Sequence, residues 1–449
     1  MAAKPLQRLS VSGNGRYLVN EDGSPFFWLG DTAWELFHKL DREEAELYLR
    51  NRAERGFTVV QAVALAELEG LTTPNAYGRY PLRIGADGRY DPERPDIAEQ
   101  GAYGYWDHVD YIVDKAAEYG IYVALLPTWG DKYDLAWGKG PVVFTKENAR
   151  TFGAWIGDRY KAKTNVIWVL GGDRPLEKRH HFEVVQAMAE GIRAADVGRH
   201  LMTFHPAGGR SSSLHVHDEA WLDFNMIQSS HGELHKANYA MVASDYALTP
   251  TKPTLDGEPC YEDHPVGFKA ANGYFDAADV RKAAYWALFA GAFGHTYGHH
   301  SIWSMTREPA DYFIMDWKQA LMRPGAAHMR HVRTLMESRP ADGRVPDPSL
   351  AAANYEGANH LEACRGDGYA FVYSPSGLPI RVRLGSISGD RVVATWYDPR
   401  TGASSPAGET ANEGEAEYRP PTSGRNEDWV LILDDVSRGY PMPEAHTTA

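Results

Sequence analysis

Cysteine is nearly absent from this chain: among 449 residues only Cys260 and Cys364 carry thiols. Two cysteines so far apart, expected in different domains, imply no disulfide framework. Missing too is any apolar run long enough to span a bilayer, and the start, Met1 to Ser10, has basic residues with no apolar stretch of about 7–15 residues behind them. A cytoplasmic location is the simplest expectation, and a cleaved export signal would make it secreted or periplasmic. Positive charge is in short supply. Lys plus Arg number 46 against 60 Asp plus Glu, a balance of −14 that argues against a nucleic-acid or membrane partner and suits a neutral ligand. No G-x-G-x-x-G loop opens a βα unit and no His-Glu-x-x-His occurs, so neither a dinucleotide nor a zincin-type metal site is signalled.

What the chain does have is length, apolar content and aromatic rings. At 449 residues it exceeds one ordinary core, so two domains are expected. Its 13 Trp and 25 Tyr supply flat apolar faces with polar edges, which suit a carbohydrate cleft as well as a core. A hairpin opens the chain, Arg16–Val19 and Pro25–Gly30 around a turn at Asp22-Gly23. A helix then starts at Asp41 as N-cap with Glu44 as capping-box partner, and stops at Gly56 before the β-branched run Phe57–Gln61. The same helix-Gly-strand unit recurs with Val109, Ile112, Val113 and Ala116 on one face, Gly120 as the stop and Ile121–Leu126 as the strand. Thr145 caps the next helix ahead of Asn165–Leu170.

Further strands are expected at His200–His205, Asp223–Gln228, Pro253–Glu258 and Ala292–Tyr297, making eight. Strands apolar enough to be buried on both faces and alternating with helices predict a (β/α)8 TIM barrel over residues 1–339, N-terminal hairpin included. From residue 340 to 449 the pattern changes to turn-rich alternating strands, which predict a C-terminal antiparallel β-sandwich.

In such a barrel the reactive groups sit at the C-terminal strand ends. Here these ends are polar and aromatic: Asp31 and Trp34, Gln61, Trp129 and Asp131, Asp173, His205, Gln228 and His231, Glu258, then Tyr297 and His299. Strand alternation places Ile167, Val169, Gly171 and Asp173 on one face, and Thr254, Asp256 and Glu258 on one face of another strand. If these are strands four and seven, two carboxyl groups face each other across the mouth, with room for a sugar between them. Glycosidic cleavage uses that pair, one carboxyl to protonate the leaving oxygen and one carboxylate on the far side of the anomeric carbon. A gap of about 5–5.5 Å means a nucleophile and retention, and about 6.5–9.5 Å means a water and inversion. Glu262 is the rival nucleophile if a bulge presents it instead of Glu258. No cofactor or metal is expected: strand one ends Gly30-Asp-Thr-Ala-Trp34 without the His-x-His of amidohydrolases, and His295, His299 and His300 are read as partners of sugar hydroxyls or carboxylates.

Asp173 in Trp168-Val-Leu-Gly-Gly-Asp and Glu258 in Lys252-Pro-Thr-Leu-Asp-Gly-Glu-Pro-Cys-Tyr-Glu resemble the two active-site strands of the apiosidase family of bacterial glycoside hydrolases. The resemblance extends over Phe27–Trp34, Thr203-Phe-His-Pro206 and Gln228-Ser-Ser-His231. It continues into the C-terminal module, where Trp396-Tyr-Asp-Pro-Arg400 is similar to a domain labelled collagen-binding. It implies a retaining β-apiosidase, with the Asp of strand four as acid/base and the Glu of strand seven as nucleophile. The wider clan of barrel glycosidases ends strand four with Asn-Glu, and Gly172-Asp173 departs from this. The expected substrate is a small plant-derived glycoside such as a flavonoid apiosyl-glucoside, with Trp34, Trp129 and Tyr297 lining the sugar site. The alternatives are a glycosidase of the same fold with another furanoside or pyranoside specificity, and a non-catalytic carbohydrate- or matrix-binding protein. The insertion between Ala66 and Tyr105, which holds Glu67 and Glu69, either gates the cleft or decorates its rim.

Overall fold

The computed structural model of the chain describes residues 5–443. Eight strands run parallel: β1 (Trp28–Thr32), β2 (Val59–Val63), β3 (Tyr122–Leu126), β4 (Val166–Gly171), β5 (Met202–His205), β6 (Asn225–Gln228), β7 (Thr254–Asp256) and β8 (Gly294–Tyr297). Their order is β5-β4-β3-β2-β1-β8-β7-β6, so β8 returns beside β1 with Tyr297 opposite Asp31. A ninth, antiparallel strand, Arg210–Ser211, edges β6. β5 and β6 share no ladder among the described residues, but the Asp223 N–H donates to the Met202 carbonyl at 2.8 Å and Thr203 Oγ1 to the Phe224 carbonyl at 2.7 Å. The barrel is thus nearly closed.

Between the strands lie α1 (Arg42–Glu54), α2 (Tyr105–Glu118), α3 (Lys146–Tyr160), α4 (Arg179–Asp196), α5 (Asn238–Tyr246) and α6 (Ala277–Phe289), and α7 (Pro324–Glu337) follows β8. The expected caps are present: Asp41 accepts the Glu44 N–H at 2.9 Å and Thr145 starts α3. Strand alternation sorts the barrel wall. Ile167, Val169, Val63, Leu126, Met226 and Leu255 fill the interior, while Trp168, Leu170, Val60, Ala62, Val123 and Leu125 pack on the helices. Burying each such aliphatic side chain stabilises the fold by about 1.5–3 kcal/mol. The opening hairpin of Leu18–Asn20 and Pro25–Phe26 gains a third strand that sequence reading missed, Leu9–Val11 on the outer side of Leu18–Asn20, and Leu9 and Leu18 join the interior cluster.

From Val345 onward a six-stranded antiparallel sheet forms, with a two-stranded sheet of Ile380–Arg383 and Glu415–Tyr418 on one face. Its other face puts Phe371, Tyr373, Tyr397 and Ile432 against Tyr285, Trp286 and Phe289 of α6. The Arg281 guanidinium grips both oxygens of Asp428 across this seam, at 2.6 and 3.0 Å, with both side chains buried. In the Trp396–Arg400 motif, Arg400 Nε donates to Asp398 Oδ1 at 2.8 Å within a turn, a structural arrangement. Among the described residues no helix is long and apolar enough to cross a membrane.

The strands expected at His200–His205, Asp223–Gln228 and Ala292–Tyr297 each start two residues late, and the one expected at Pro253–Glu258 starts one residue late and ends two early. β7 stops at Asp256 because the amides of Gly257 and Glu258 both turn to the Ile227 carbonyl, at 2.8 and 3.4 Å. Two donors on one acceptor interrupt the alternation, as in a bulge. Asp256 therefore points to the helix layer, accepting from Ser229 Oγ at 2.7 Å and Asn238 Nδ2 at 2.9 Å, while Glu258 turns into the barrel mouth. The alternation expected to align Asp256 with Glu258 does not hold.

Candidate active site

The C-terminal mouth of the barrel holds a cavity of about 500 Å³. Asp173 and Glu258 both line it, from the ends of β4 and β7, and Glu67 contributes a third carboxyl from the segment after β2. Aromatic rings form much of the wall: Trp34 and Trp129, packed at 5.1 Å, with Trp137, Trp303, Tyr261 and Tyr312. No Lys or Arg is among the lining residues. Apolar faces with carboxyl edges and no cation describe a pocket for an uncharged polyhydroxylated ligand.

Each carboxyl owes its position to a break in its strand. At the end of β4, Gly171, Gly172 and Asp173 all have positive φ, at 95°, 94° and 60°. A Cβ on Gly172 would stand 2.7 Å from the Gly130 nitrogen, so the chain passes too close to the β3 loop for any side chain there. This is the physical reason for glycine at position 172. On the other side, Gln61 Nε2 donates to the Gly257 carbonyl at 2.9 Å and props the bulge that carries Glu258.

Two histidines set the charge on Glu258. His205 Nε2 stands 2.8 Å from Glu258 Oε2, and His231 Nε2 lies 3.1 Å from Oε1. Each ring's Nδ1 receives a backbone N–H at 3.3 Å, from Asp173 in the case of His205 and from Tyr261 in the case of His231. A backbone N–H can only donate, so Nδ1 must accept and the ring proton sits on Nε2, which in His231 is hydrogen-bonded to the carboxylate and in His205 lies in close contact with it. Burial by itself would raise the Glu258 pKa, but these two partners hold it down at about 2. Asp173 goes the other way. Burial first, and the Glu258 charge second, push it up to about 6, against the opposing pull of His205, the Trp137 N–H and Arg174. Glu67 is pushed up to about 8 by burial and by Asp173, Asp131 and Glu35. The cavity thus has one carboxylate kept ionised beside one carboxyl poised to carry a proton near neutrality, the division of labour of a general acid and a nucleophile or base.

Of the other residues singled out in the sequence, Trp34, Trp129, Gln228 and His231 line the cavity, and His205 lies directly beneath Glu258. The rest are placed elsewhere. Asp31 falls on the outward face of β1, where Tyr48 Oη and Arg52 Nε of α1 both donate to it at 2.6 Å. Asp131 pairs with Lys132 at 2.7 Å and accepts the N–H groups of Lys139 and Gly140 at 3.1 and 2.7 Å, so it organises a loop. Glu262 accepts from Tyr297 Oη at 2.6 Å and from the Gly325 N–H at 3.1 Å, which makes both residues a buried cap on the start of α7 instead of a sugar site or a rival nucleophile. His299 binds Asp263 at 3.0 Å and caps the short helix His300–Trp303, and His295 is buried beside Asp256 on the barrel wall.

Sequence reasoning missed Trp137 and His264 and left Glu67 as part of an insertion of open role. All three come from loops, after β3, β7 and β2. His264 Nδ1 donates to the Pro265 carbonyl at 2.8 Å, and its ring stacks on His231 at 4.1 Å. Burial and the neighbouring His231 and His300 push its pKa far down, so it offers the cavity a neutral acceptor nitrogen.

A nearly closed parallel barrel with a carboxyl-bearing aromatic cavity at its C-terminal end is the architecture of a glycoside hydrolase, and the protein is a glycosidase acting on a carbohydrate. Residues 12–342 match the model of the apiosidase-like catalytic domain, and the chain belongs to that family. Residues 345–434 match a model described as the collagen-binding domain of a collagenase. A solved structure described as a glycoside hydrolase is 36% identical, with 97% of this chain and 98% of that one covered and a TM-score of 0.89. A glycoside hydrolase family 5 protein from Bacteroides vulgatus is also 36% identical, covering 99% of this chain and 98% of its own, with a TM-score of 0.88. Among curated proteins none matches the chain.

Proposed function

We propose that the protein is a retaining β-apiosidase that releases apiose from a small plant-derived glycoside, with Glu258 as nucleophile and Asp173 as acid/base. The observation that carries this reading is the opposed state of the two carboxyls in one cavity, Glu258 held at about 2 and Asp173 raised to about 6. In the first step a Glu258 oxygen forms a bond to the anomeric carbon while the bond to the aglycone oxygen breaks, and Asp173 gives its proton to that oxygen. In the second, Asp173, now a carboxylate, takes a proton from water, the water oxygen bonds to the anomeric carbon, and Glu258 leaves as a carboxylate. The His205 and His231 N–H groups favour the ionised nucleophile at both ends of the cycle. The apiose specificity rests on family membership.

We further propose that the catalytic domain ends near residue 340, and that the module beyond it packs as a structural unit on α6. Free apiose released from an apiosyl-glucoside tests the specificity, and the configuration of the first-formed sugar, followed by proton NMR, tests retention. Hydrolysis confined to other glycosides would redirect the specificity, and inverted product would remove the nucleophile role. Glu258→Gln and Asp173→Asn are each expected to fold and to lose most turnover. Azide rescue of Asp173→Ala or Asp173→Gly on an activated substrate, with a glycosyl azide of retained configuration, marks Asp173 as the acid/base, whereas rescue with an inverted azide would mark it as the nucleophile.

A further inference from the structure

Trp137 belongs to none of the strand ends, yet it touches Asp173. Its indole Nε1 donates to Asp173 Oδ2 at 2.5 Å, while Oδ1 takes no hydrogen bond from the described residues. The loop that carries it is pinned on two sides. Arg174, fully buried, donates from Nε to the Asp134 carbonyl at 2.7 Å, from Nη1 to the Asp173 carbonyl at 2.7 Å, and from Nη2 to the Trp137 carbonyl. Its guanidinium carbon lies 4.6 Å from the centre of the Trp137 ring, backing one indole face with a cation. From beneath, Asp131 holds the Lys139 and Gly140 amides, and a Cβ on Gly138 would stand only 2.7 Å from the Asp131 Cβ. The other indole face is open at the cavity rim, with Trp137 46% exposed.

We propose that Trp137 is a positioning residue that joins leaving-group recognition to proton donation: its open face seats the uncharged, flat first unit of the aglycone, and its N–H anchors Oδ2 so that Oδ1 meets the glycosidic oxygen. The proposal rests on Asp173 being the acid/base. An uncharged aglycone follows from a lining without Lys or Arg, which offers the carboxylate of a uronate no counter-ion, and from the ionised Glu258 across the cavity. Seating the leaving group and orienting the acid through one pinned ring makes proton transfer depend on a correctly placed aglycone, the kind of preorganisation that geometry-dependent catalysis requires.

The charged and titratable groups that face Asp173 are Glu258 from β7, His205 from β5, Glu67 from the segment after β2, and the adjacent Arg174. Against these, the Trp137 N–H favours the ionised carboxylate, so removing it lets Asp173 keep its proton to higher pH.

The test compares Trp137→Phe, which keeps a ring without the N–H, with Trp137→Ala, in the full chain and with folding checked by circular dichroism. Each is assayed on a 4-nitrophenyl glycoside, whose leaving group needs little protonation, and on an alkyl or glucose-linked glycoside of the same sugar, whichever sugar the enzyme cleaves. General acid catalysis is worth roughly 10²–10⁴-fold, so Trp137→Phe is expected to lower kcat on the poor leaving group by about tenfold or more and on the nitrophenyl substrate by less than about threefold. The basic limb of its kcat/KM profile is expected to move to higher pH, with KM for the aryl substrate nearly unchanged. Trp137→Ala is expected to raise that KM as well, by about fivefold or more, for loss of one stacked ring. Unchanged kcat on both substrates and an unmoved basic limb in Trp137→Phe would overturn the orienting role, and equal KM in the two variants would overturn the platform. Asp173→Ala run alongside keeps the outcomes apart: if it too spares the poor leaving group, the acid/base reading has failed and not merely the role of Trp137.

Discussion

Asp173→Asn is expected to make the protein more stable while abolishing most of its activity, and the gain should depend on pH in a calculable way. Asp173 has a folded-state pKa of about 6 against an ordinary 3.8, chiefly because of burial. Below pH 3.8 the carboxyl is protonated in both states and nothing is lost. Between 3.8 and about 6 the unfolded chain releases its proton first, so the folded state loses ground as pH rises; above about 6 the loss is complete. At 1.36 kcal/mol per pH unit, that loss is about 3 kcal/mol at pH 7.5 and only about 1 kcal/mol at pH 4.5. Asn cannot ionise, and it keeps an oxygen to accept the Trp137 N–H. The variant should therefore exceed wild type by up to about 3 kcal/mol at pH 7.5, and about 2 kcal/mol of that difference should vanish at pH 4.5. The assay is urea unfolding of the barrel followed by tryptophan fluorescence at the two pH values, with wild type and variant side by side. A variant that is less stable at pH 7.5, or an advantage that stays constant with pH, would refute the strained carboxyl and with it the case for Asp173 as a poised acid.

Three further outcomes follow from the same structure. His231→Phe keeps the ring stack with His264 but removes one charge-assisted donor from Glu258, worth about 1.5–3 kcal/mol, so the Glu258 pKa should rise from about 2 to about 3–4. Its kcat/KM should then fall between pH 5.5 and 3.5, by about fourfold at the upper end of that pKa range and about 1.3-fold at the lower, where wild type stays flat, and overlaid profiles would contradict it. Asp428→Ala leaves the buried Arg281 guanidinium without its carboxylate at the seam of barrel and sandwich, which should destabilise the protein by about 3–5 kcal/mol in urea, and a loss under about 1 kcal/mol would show that Asn426 and His328 suffice. Gly172→Ala should lose activity by more than about tenfold, since both its positive φ and its 2.7 Å approach to Gly130 forbid a methyl group without moving Asp173, and wild-type turnover would contradict that.

The barrel was legible in the sequence because its strands are doubly buried. Runs such as Ile121–Leu126 and Val166–Leu170 leave no polar alternation, and the helices between them announce their ends with Asp41, Gly56, Thr145 and Gly120. The candidate site was legible in part, since polar residues at strand ends mark the mouth without saying which way each points. Asp31 fails by one step of alternation, because Trp28 faces the interior and Leu29 and Asp31 face α1 and the helix layer. Glu262 and Tyr297 satisfy one another and the start of α7, a tertiary contact that no local pattern carries. Glu258 was chosen by an alternation that the bulge at Gly257 breaks, and it reaches the cavity because of the break. Trp137 and His264 lay beyond reach for a different reason: loop residues have no periodicity, and Asp131, the residue that folds the Trp137 loop, looked like a ligand contact itself.

His205 ties the two carboxyls together and gives the proposed cycle its direction. Its Nδ1 takes the Asp173 N–H and its Nε2 faces Glu258, so the backbone break that presents the acid also fixes the tautomer that keeps the nucleophile ionised. Asp173 in turn is raised partly by the Glu258 charge. Once Glu258 is consumed in a bond to the sugar, that charge is gone and the hold on the Asp173 proton weakens. The same side chain that needed its proton to expel the aglycone then favours the carboxylate that water requires. When Glu258 is released its charge returns and raises Asp173 again. Burial alone sets a fixed pKa and cannot produce this alternation; it requires a second carboxyl whose charge appears and disappears with the covalent bond. Two carboxyls facing one cavity, one shielded by paired imidazole N–H groups and the other left to burial, are therefore suited to a two-step displacement.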